Sequence, residues 1–466
     1  MTVTGVHSEL EEHREENARQ GSVQAVKEKL RETGVEFIHY QAVSLSGRVV
    51  GKLGCARHLA HNVENGVRLH PALMADARVD RNGNLLGVSP EDPECVAMPD
   101  LDSFGVFPWD PRTGFFFCRL YHHNRLAGER AGRLLATDAR SNLKRVHAEF
   151  TARTGLHLRS GCESEVTWTD VAPQPHHQPG GPTTLLHLEN LKDYQEVYQR
   201  VIRYGHALGL DMTEGNGDEP GQLELNWQYD QAELTADRLI LHRQICRQVA
   251  RELGCKVSFM PKPAADRLGN GCHHNISLWT GDRNTFIDPD LSHLHLTETG
   301  RHALGGILTH TAAASAIMAP TVNSYKRYWH TGQFAPMQAD WGLDNKTCAV
   351  RLPDIGRLEV KTPDAMVNPY LSHAVLIAAI EDGLIRQIDP GPPQDAQGVE
   401  RASDRFSPLP LSLSEALDQF IAAPLLTQAL GPELARLYHS IRSEEWMQFC
   451  GAVTDWEYLT YSQEGC

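Results

Sequence analysis

The chain has 466 residues and a mass of 51.9 kDa, which is more than one hydrophobic core usually needs and predicts at least two domains. Hydrophobic residues make up 41% and charged residues 22%, as in an ordinary globular protein rather than a disordered or fibrous one. The formal net charge of −15 argues against nucleic acid or an anionic membrane as the main partner.

The sequence offers no sign of export or membrane insertion. No apolar run approaches the roughly 20 residues that a membrane span requires, and the first residues lack the apolar core of a signal peptide. The ten cysteines are scattered singly, without a CxxC pair, and we expect reduced thiols. These features predict a cytoplasmic protein.

The first third of the chain predicts a small β-rich domain. Residues 1–21 are polar and predict a tail that is disordered or loosely helical. An amphipathic stretch from Ser22 to Gly34 predicts a helix, and alternating residues around a Ser-Gly turn predict a β-hairpin over 35–53. An apolar strand is predicted at 113–120. We therefore expect a domain over residues 22–125.

From residue 126 to residue 466 the pattern predicts a larger body in which strands alternate with helices, so that the fold class is α+β. The predicted strands are 157–168, 222–228, 256–260, 273–279, 347–352 and 357–361. The predicted helices are 137–154, 190–206, 235–253, 296–316, 368–385 and 412–441.

The first indication of a functional site is a set of carboxylates at alternating positions of predicted strands. Glu163 and Glu165 lie two residues apart, which puts both on one face of a strand. Two like charges in a partly buried sheet repel unless a cation or a proton lies between them, so the pair indicates ligands of a hard metal ion. The competing interpretation is an exposed strand face. Glu224 lies on a second strand with Gln222 on the same face.

A glycine-rich segment precedes a strand that begins with two histidines. Gly269 and Gly271 allow the backbone to approach a ligand closely. His273 and His274 follow, and imidazole either ligates a divalent ion or has a structural role.

Cationic side chains cluster in the last third of this acidic chain. Arg327, Arg351, Arg357 and Lys361 fall within a short stretch of sequence. Arginine matches the oxygens of phosphate and carboxylate groups. The cluster therefore predicts recognition of anionic substrates.

The order and spacing of these motifs resemble those of the glutamine synthetase superfamily, over roughly residues 22–460. The segments that carry the resemblance are Gly47-Arg-Val-Val-Gly-Lys52, the Glu163/Glu165 strand, Gly221-Gln-Leu-Glu224, Phe259-Met-Pro-Lys-Pro263, Gly269-Asn-Gly-Cys-His273, Asn323-Ser-Tyr-Lys-Arg327, Arg357-Leu-Glu-Val-Lys361 and Asn368-Pro-Tyr370.

The resemblance implies an N-terminal β-grasp domain and a catalytic domain built on a curved antiparallel sheet with flanking helices. It also implies active sites formed between neighbouring subunits of a homo-oligomer, commonly a dodecamer of two hexameric rings. The substrates would be glutamate, ATP and an amine, and two or three Mg²⁺ or Mn²⁺ ions would be bound at each site.

The resemblance also implies roles for individual residues. Glu163, His273 and Glu359 match the ligands of the ion near the ATP phosphates, and Glu165 and Glu224 match ligands of another. Arg327 matches the arginine that holds the α-carboxylate of glutamate, and Gly269 matches a backbone contact to its amino group. The residues matched to the nucleotide and the transferred phosphoryl group are Arg351, Arg357, Ser277 and Lys361, the last in place of the usual arginine.

Three positions depart from the family pattern. Family members that use ammonia bind it as ammonium with acidic groups. Here Phe334 stands where a flap glutamate is expected, His70 or Pro71 replaces an aspartate, and Gly217 occupies a third acidic position. A site without these carboxylates loses the attraction that holds a cation.

We therefore expect a bulky, hydrophobic amine as the acceptor, namely aniline or a similar aromatic amine, which is uncharged at neutral pH and can stack on Phe334. The expected product is a γ-glutamylanilide. An alkylamine would arrive as a cation and need another base, such as His70 or Asp218. Two competing hypotheses are an ordinary, ammonia-using glutamine synthetase and a catalytically silent family member with a structural or regulatory role.

Overall fold

The computed structural model describes residues 8–19, 22–125, 128–171, 186–219, 221–288, 290, 295–329, 335–394 and 407–462. Within these ranges the strands form two sheets, one of six and one of ten strands. Helices pack against both sheets, so the α+β fold class predicted from the sequence is confirmed.

The six-stranded sheet belongs to the first third of the chain and has the order β2-β1-β6-β4-β3, with β5 paired to β6. Its strands are β1 (Phe37–Val43), β2 (Val49–Cys55), β3 (Val67–Leu69), β4 (Cys95–Pro99), β5 (Gly105–Val106) and β6 (Thr113–Tyr121). The predicted hairpin is present as the antiparallel pair β1 and β2, and Gly47 takes the positive φ of 76° that its turn requires.

Three helices accompany this sheet: α1 (Glu9–Arg19), α2 (Ser22–Thr33) and α3 (Leu59–Asn65). The first of them lies in the segment predicted to be a disordered or loosely helical tail. Leu10 is fully buried against Val96, Met98 and Tyr121 of the sheet, and the His13 ring is 2.8 Å from the Tyr121 hydroxyl. This segment is therefore a helix packed on the sheet. The predicted domain limits, 22–125 and 126–466, stay a prediction.

The ten-stranded sheet has the order β14-β15-β16-β12-β7-β9-β8, with β10 and β11 paired to β7 and β13 paired to β12. Its strands are β7 (His157–Thr169), β8 (Met212–Asn216), β9 (Gln222–Trp227), β10 (Asp230–Gln231), β11 (Lys256–Ser258), β12 (Cys272–Thr280), β13 (Arg283–Asn284), β14 (Trp341–Leu343), β15 (Val350–Asp354) and β16 (Arg357–Val360). Every pairing is antiparallel except that of β14 with β15. This is the curved antiparallel sheet expected for the larger body.

Helices cover the sheet and form most of the main hydrophobic core. They are α4 (Ala139–Thr154), α5 (Glu189–Lys192), α6 (Gln195–Ala207), α7 (Ala232–Leu253), α8 (Glu298–Met318), α9 (Lys326–Trp329), α10 (Pro369–Arg386), α11 (Leu413–Ile421), α12 (Pro424–Leu430), α13 (Pro432–Cys450) and α14 (Asp455–Tyr461). The single helix predicted over 412–441 is wrong. Pro424 and Pro432 each begin a new helix, because proline tolerates the first helical turn and breaks an interior one.

A buried ionic network connects the two parts of the chain. The Arg140 guanidinium donates to both carboxylate oxygens of Asp237, at 2.8 and 2.9 Å, and to Asp100 at 2.9 Å. The Tyr370 hydroxyl donates to the same Asp237 carboxylate at 2.6 Å. Burial acts to raise the pKa of Asp100, but Arg140 and Lys144 outweigh it and hold that pKa well below its ordinary value. Asp100 follows β4, so the first sheet is fixed to α4 and α7.

The structure also bears on membrane insertion and on the state of the cysteines. No helix among the described residues is long and apolar enough to cross a membrane. The nine cysteines within the described ranges are all free thiols, which agrees with the prediction of reduced cysteines.

Candidate active site

Strand pairing brings the predicted acidic residues onto one face of the larger sheet. In the register of the sheet, His273 lies opposite Glu163, Glu224 lies opposite Glu165, and Arg351 lies opposite Glu359. The alternation of β-strands explains why residues so far apart in sequence share a face. The site therefore extends over the five strands β15, β16, β12, β7 and β9.

The first group of side chains surrounds His273. Its Nδ1 atom is 3.2 Å from Glu359 Oε1 and 3.4 Å from Glu163 Oε2, and its Nε2 atom is 3.9 Å from Glu165 Oε1. Burial and the nearby Lys361 lower the pKa of His273, but hydrogen bonds to Glu163 and Glu359 outweigh them and raise it to about 9. The three acids thus attract a positive charge at the centre of the group.

The second group surrounds Glu165 and Glu224. The Gly271 backbone N–H donates to Glu165 Oε2 at 2.6 Å, and the Asn226 amide donates to Glu224 Oε1 at 2.7 Å. Burial, together with Glu163 and Glu165, raises the pKa of Glu224 to about 8. At neutral pH the metal-free site therefore keeps this carboxyl protonated, as expected where several buried acids lack a cation.

The donor set fits a hard divalent metal ion. Ligand atoms of Glu163, His273 and Glu359 lie within 4.8 Å of one another. Four amide oxygens around the acids are buried without a hydrogen-bond partner among the described residues, an arrangement that is rare in proteins and that a bound cation would explain. These oxygens belong to Asn216, Gln222, Asn226 and Asn275.

Cationic side chains border the acids on the β15 and β16 side. Lys361 Nζ lies 3.3 Å from Glu359 Oε1, and Arg351 Nη1 lies 2.9 Å from Glu359 Oε2. The Arg351 guanidinium also reaches Asp344. Lys361 is almost entirely buried, so its charge is held against the acid cluster and is screened little by water.

Arg327 lies against the glycine-rich segment. It is 7% exposed, and its Nη1 atom has no hydrogen-bond partner among the described residues. A methyl group added at Gly269 would lie 2.8 Å from Arg327 Cγ, and one at Gly271 would lie 2.7 Å from His273 Nε2. The glycines therefore allow the arginine to approach the metal-ligand group, with a free guanidinium nitrogen.

Three other predicted site residues, Ser277, Arg357 and His70, make no hydrogen bond or ion pair with this cluster within the described part of the chain. Ser277 lies further along β12 and accepts a hydrogen bond from Trp279 at 2.8 Å. Arg357 is exposed, two positions before Glu359 on the same strand face. His70 lies in the first third of the chain, where its Nδ1 accepts from the Ala72 N–H. Phe334 lies outside the described residues.

Sequence reasoning assigned no role to two side chains that lie beside the predicted residues. The Asn275 amide donates to Glu163 Oε1 at 2.6 Å, and Asp364 is a buried acid near Arg327 whose pKa is raised to about 6 by burial, against the lowering effect of that arginine. Asn275 could have been found from its position two residues after His273, which puts both on the same strand face.

The opposite face of the same strands carries a different chemistry. Cys162, Cys272 and His274 are fully buried there, with ligand-type atoms within 4.8 Å of one another. Cys162 Sγ is 3.6 Å from His274 Nδ1, and His274 Nε2 is 2.8 Å from the Ser372 hydroxyl. Both cysteines are free thiols.

Residues 136–461 match the family model described as "Glutamine synthetase, catalytic domain". The chain therefore belongs to the glutamine synthetase family. Enzymes of this family are in general ATP-dependent and divalent-metal-dependent glutamate ligases that act on small molecules and form oligomers.

Particular relatives differ in the amine that their names record. The chain is 30% identical to a glutamine synthetase of Rhizobium meliloti, with 92% of this chain and 97% of the relative covered. It is also 30% identical to a glutamate-methylamine ligase of Methyloversatilis universalis, with 93% and 97% covered. A solved structure described as a GmaS/ADP complex has a TM-score of 0.83 and 32% identity, with 93% of this chain and 98% of that chain covered.

Proposed function

We propose that this protein ligates the γ-carboxylate of L-glutamate to a hydrophobic, aromatic amine of the aniline type, with ATP as the energy source. The observation that supports the choice of amine is the identity of the side chains that hydrogen-bond to Glu224. Its hydrogen-bonding neighbours are the amides of Asn216 and Asn226, at 3.5 and 2.7 Å. Amides supply no net charge with which to hold a cation.

The acid clusters would hold the metal ions. Glu163, His273 and Glu359 would bind one ion, and Glu165 and Glu224 would bind another. Bound Mg²⁺ or Mn²⁺ supplies positive charge that stabilises the phosphates during phosphoryl transfer. The fit of the donor atoms supports this assignment, because a divalent ion would relieve both the carboxylate repulsion and the unpaired amide oxygens.

The cationic residues would bind the two anionic substrates. Arg327 has a free guanidinium nitrogen and would hold the α-carboxylate of glutamate, with the Gly269 backbone near the amino group. Arg351 and Arg357 would contact the nucleotide phosphates, and Ser277 would lie near the nucleotide. Lys361 would face the transferred phosphoryl group as a point charge, with less directional contact than an arginine.

The proposed reaction has two steps. The γ-carboxylate oxygen of glutamate attacks the γ-phosphorus of ATP, the bond to ADP breaks, and γ-glutamyl phosphate forms. The nitrogen of the amine then attacks the acyl carbon, inorganic phosphate leaves, and the nitrogen loses a proton. Positioned charges would provide most of the rate enhancement.

The aromatic amine is favoured because it arrives as a neutral base. Arylamines are far weaker bases than ammonia, so an acceptor site for them needs no acid to bind and deprotonate a cation. Phe334 would offer a ring for stacking, where family members that use ammonia have a glutamate. His70, from the N-terminal part of a neighbouring subunit, would complete this pocket in a dodecamer of two hexameric rings.

An alkylamine is the second candidate, and two observations favour it. A relative of similar coverage is named glutamate-methylamine ligase. In this chain Asp218 is a partly buried acid whose pKa is raised by burial and by Glu165, so it could accept a proton from an alkylammonium ion. Ammonia itself, the acceptor that the name glutamine synthetase implies, is the third candidate.

A catalytically silent role is disfavoured by the side chains that remain. Five metal-ligand positions and the cations Arg327 and Arg351 share one sheet region, and their charges would destabilise the fold without bound substrates and ions. A protein with only a structural role would gain nothing from this arrangement.

The experiment that tests the proposal is a comparison of amines. Purified protein with ATP, Mg²⁺ and glutamate is assayed for phosphate release with aniline, methylamine and ammonium, and the γ-glutamyl product is identified by mass spectrometry. We expect the largest kcat/KM with aniline. Turnover with ammonium or methylamine and none with anilines would refute the aromatic assignment, and no turnover with any amine would refute the ligase.

A further inference from the structure

A polar cavity that contains none of the proposed metal ligands lies between at least four separate parts of the chain. It has a volume of about 410 Å³, within the range typical of small-molecule sites. The turn between β1 and β2 supplies Ser46 and Arg48, Arg78 comes from a nearby loop, and Arg442 belongs to helix α13. The segment after α8 supplies Thr321.

The charge in this cavity is unevenly paired. Three guanidinium groups, of Arg48, Arg78 and Arg442, face two carboxylates, of Glu444 and Glu445. Glu445 Oε2 accepts from both Arg442, at 2.7 Å, and Arg78, at 3.5 Å. Arg48 forms no ion pair with any residue in the described ranges. These five side chains therefore carry one net positive charge.

Two buried donors in the cavity also lack an acceptor. Arg442 is 2% exposed and Ser46 is 7% exposed, yet the Nε atom of the arginine and the hydroxyl of the serine make no hydrogen bond within the described part of the chain. A buried polar group without a partner costs roughly 1–3 kcal/mol. Unpaired donors beside excess positive charge are the features expected where an anion binds.

The cavity is connected to the glutamate-binding side of the proposed active site. The N–H of Val322, next to Thr321, donates to Glu445 Oε1 at 3.3 Å. The Thr321 and Ser324 side chains hydrogen-bond each other at 2.9 Å, and the Ser324 carbonyl accepts from the Arg327 N–H at 3.2 Å. A ligand that shifts Glu445 would therefore act on the backbone that positions Arg327.

We propose that this cavity is an effector site for a small oxyanion, carrying a carboxylate or a phosphate group, whose binding changes the affinity for glutamate. The guanidinium groups of Arg48 and Arg442 and the Ser46 hydroxyl bind the oxyanion. Glu444, which lines the same cavity and accepts from Gln448 at 3.2 Å, limits the ligand to small anions of low charge. The inference concerns a different site from the proposed amine pocket and does not depend on which amine is used.

Direct binding measurements test the site. Full-length protein is titrated calorimetrically with inorganic phosphate and, separately, with succinate, in EDTA and without ATP, because the metal-free acid cluster repels anions. The variant Arg48→Gln removes the unpaired charge from an exposed side chain, and Arg57→Gln, an exposed arginine outside the cavity, is the matched control. We expect at least tenfold weaker binding of one or both anions to Arg48→Gln and unchanged binding to Arg57→Gln.

The kinetic consequence is measured in the same proteins. With the bound anion present, we expect the KM for glutamate to change in the wild type and in Arg57→Gln, and not in Arg48→Gln. Ser46→Ala, which removes one donor without changing charge, is expected to weaken binding less than Arg48→Gln. Equal binding by Arg48→Gln and wild type, or an equal effect of the anion on their KM values, would overturn the proposal.

Discussion

The contact between Gly269 and Arg327 gives a sharp prediction about glutamate binding. In Gly269→Ala the new methyl carbon would lie 2.8 Å from Arg327 Cγ and 2.9 Å from the Pro261 carbonyl oxygen. Both distances are shorter than a methyl carbon can approach a non-bonded atom. The Pro261 oxygen is held by the Asn270 N–H at 2.8 Å, so the arginine side chain has to move. The φ angle of Gly269 lies outside the left-handed region, so alanine brings no backbone strain.

The size of the effect follows from the cost of overpacking. Inserting a methyl group into a well-packed site costs roughly 1–3 kcal/mol. If this cost falls on the position of Arg327, and if that arginine holds the α-carboxylate, the affinity for glutamate falls by the same free energy. Since about 1.4 kcal/mol corresponds to a factor of ten, we expect the KM for glutamate to rise roughly 5- to 140-fold.

Steady-state kinetics distinguish this outcome from general damage. The KM for ATP should stay close to the wild-type value, because the atoms nearest to the added methyl group belong to Arg327 and Pro261 and not to the proposed nucleotide residues. Gly451→Ala is the matched control, since the methyl group there would make only an ordinary contact of 3.5 Å. A variant that loses thermal stability but keeps the wild-type KM for glutamate would refute the reasoning.

Three further predictions address the acid cluster, the amine and the buried network. In EDTA, Glu224→Gln should be similar in stability to the wild type near pH 4.5 and more stable at pH 9. The pKa of Glu224 is raised to about 8 in the folded protein, so the free energy of unfolding of the wild type falls, by on the order of a few kcal/mol, as the pH rises from the ordinary glutamate pKa toward 8. Phe334→Glu should raise the ratio of kcat/KM for ammonium to that for aniline. Arg140→Met should lower the free energy of unfolding by about 3–5 kcal/mol, because it leaves Asp237 as a buried charge without its ion pair and leaves Asp100 paired with Lys144 alone.

Each of these predictions has a contrary result. For Glu224→Gln, the contrary result is a difference from wild type in the free energy of unfolding, measured with urea, that does not vary with pH. For Phe334→Glu, it is a uniform loss of activity with every amine. For Arg140→Met, it is a loss no larger than that of Arg145→Met, the control, whose exposed pair with Glu149 should contribute less than about 1 kcal/mol.

Much of the larger sheet could be predicted from the sequence because its strands have strong, regular patterns. The predicted strands 157–168 and 273–279 correspond to His157–Thr169 and Cys272–Thr280. The predicted helix over 412–441 failed because three helices in succession, of 9, 7 and 19 residues, give an apolar periodicity that resembles that of one long helix. Pro424 marks the first break, and Gly431 with Pro432 marks the second.

The candidate site was partly predictable for a related reason. Alternation within a strand indicates that Glu163 and Glu165 share a face, but only the register between strands shows that His273 lies opposite the first and Glu224 opposite the second. Register depends on contacts distant in sequence, which a single strand does not encode. Alternation likewise places Asn275 on the face of His273, but only the register between β7 and β12 brings its amide to Glu163.

The two-sided chemistry of β7 and β12 limits how this gene can change over evolutionary time. One face carries Glu163 and His273, and the other carries Cys162 and His274. Because side chains alternate, inserting or deleting a single codon within either strand would turn every downstream side chain to the other face, exposing thiols to solvent and burying carboxylates in the helix-packed core. We therefore expect length variation among homologues to be confined to the connecting loops, with these strands changing only by substitution.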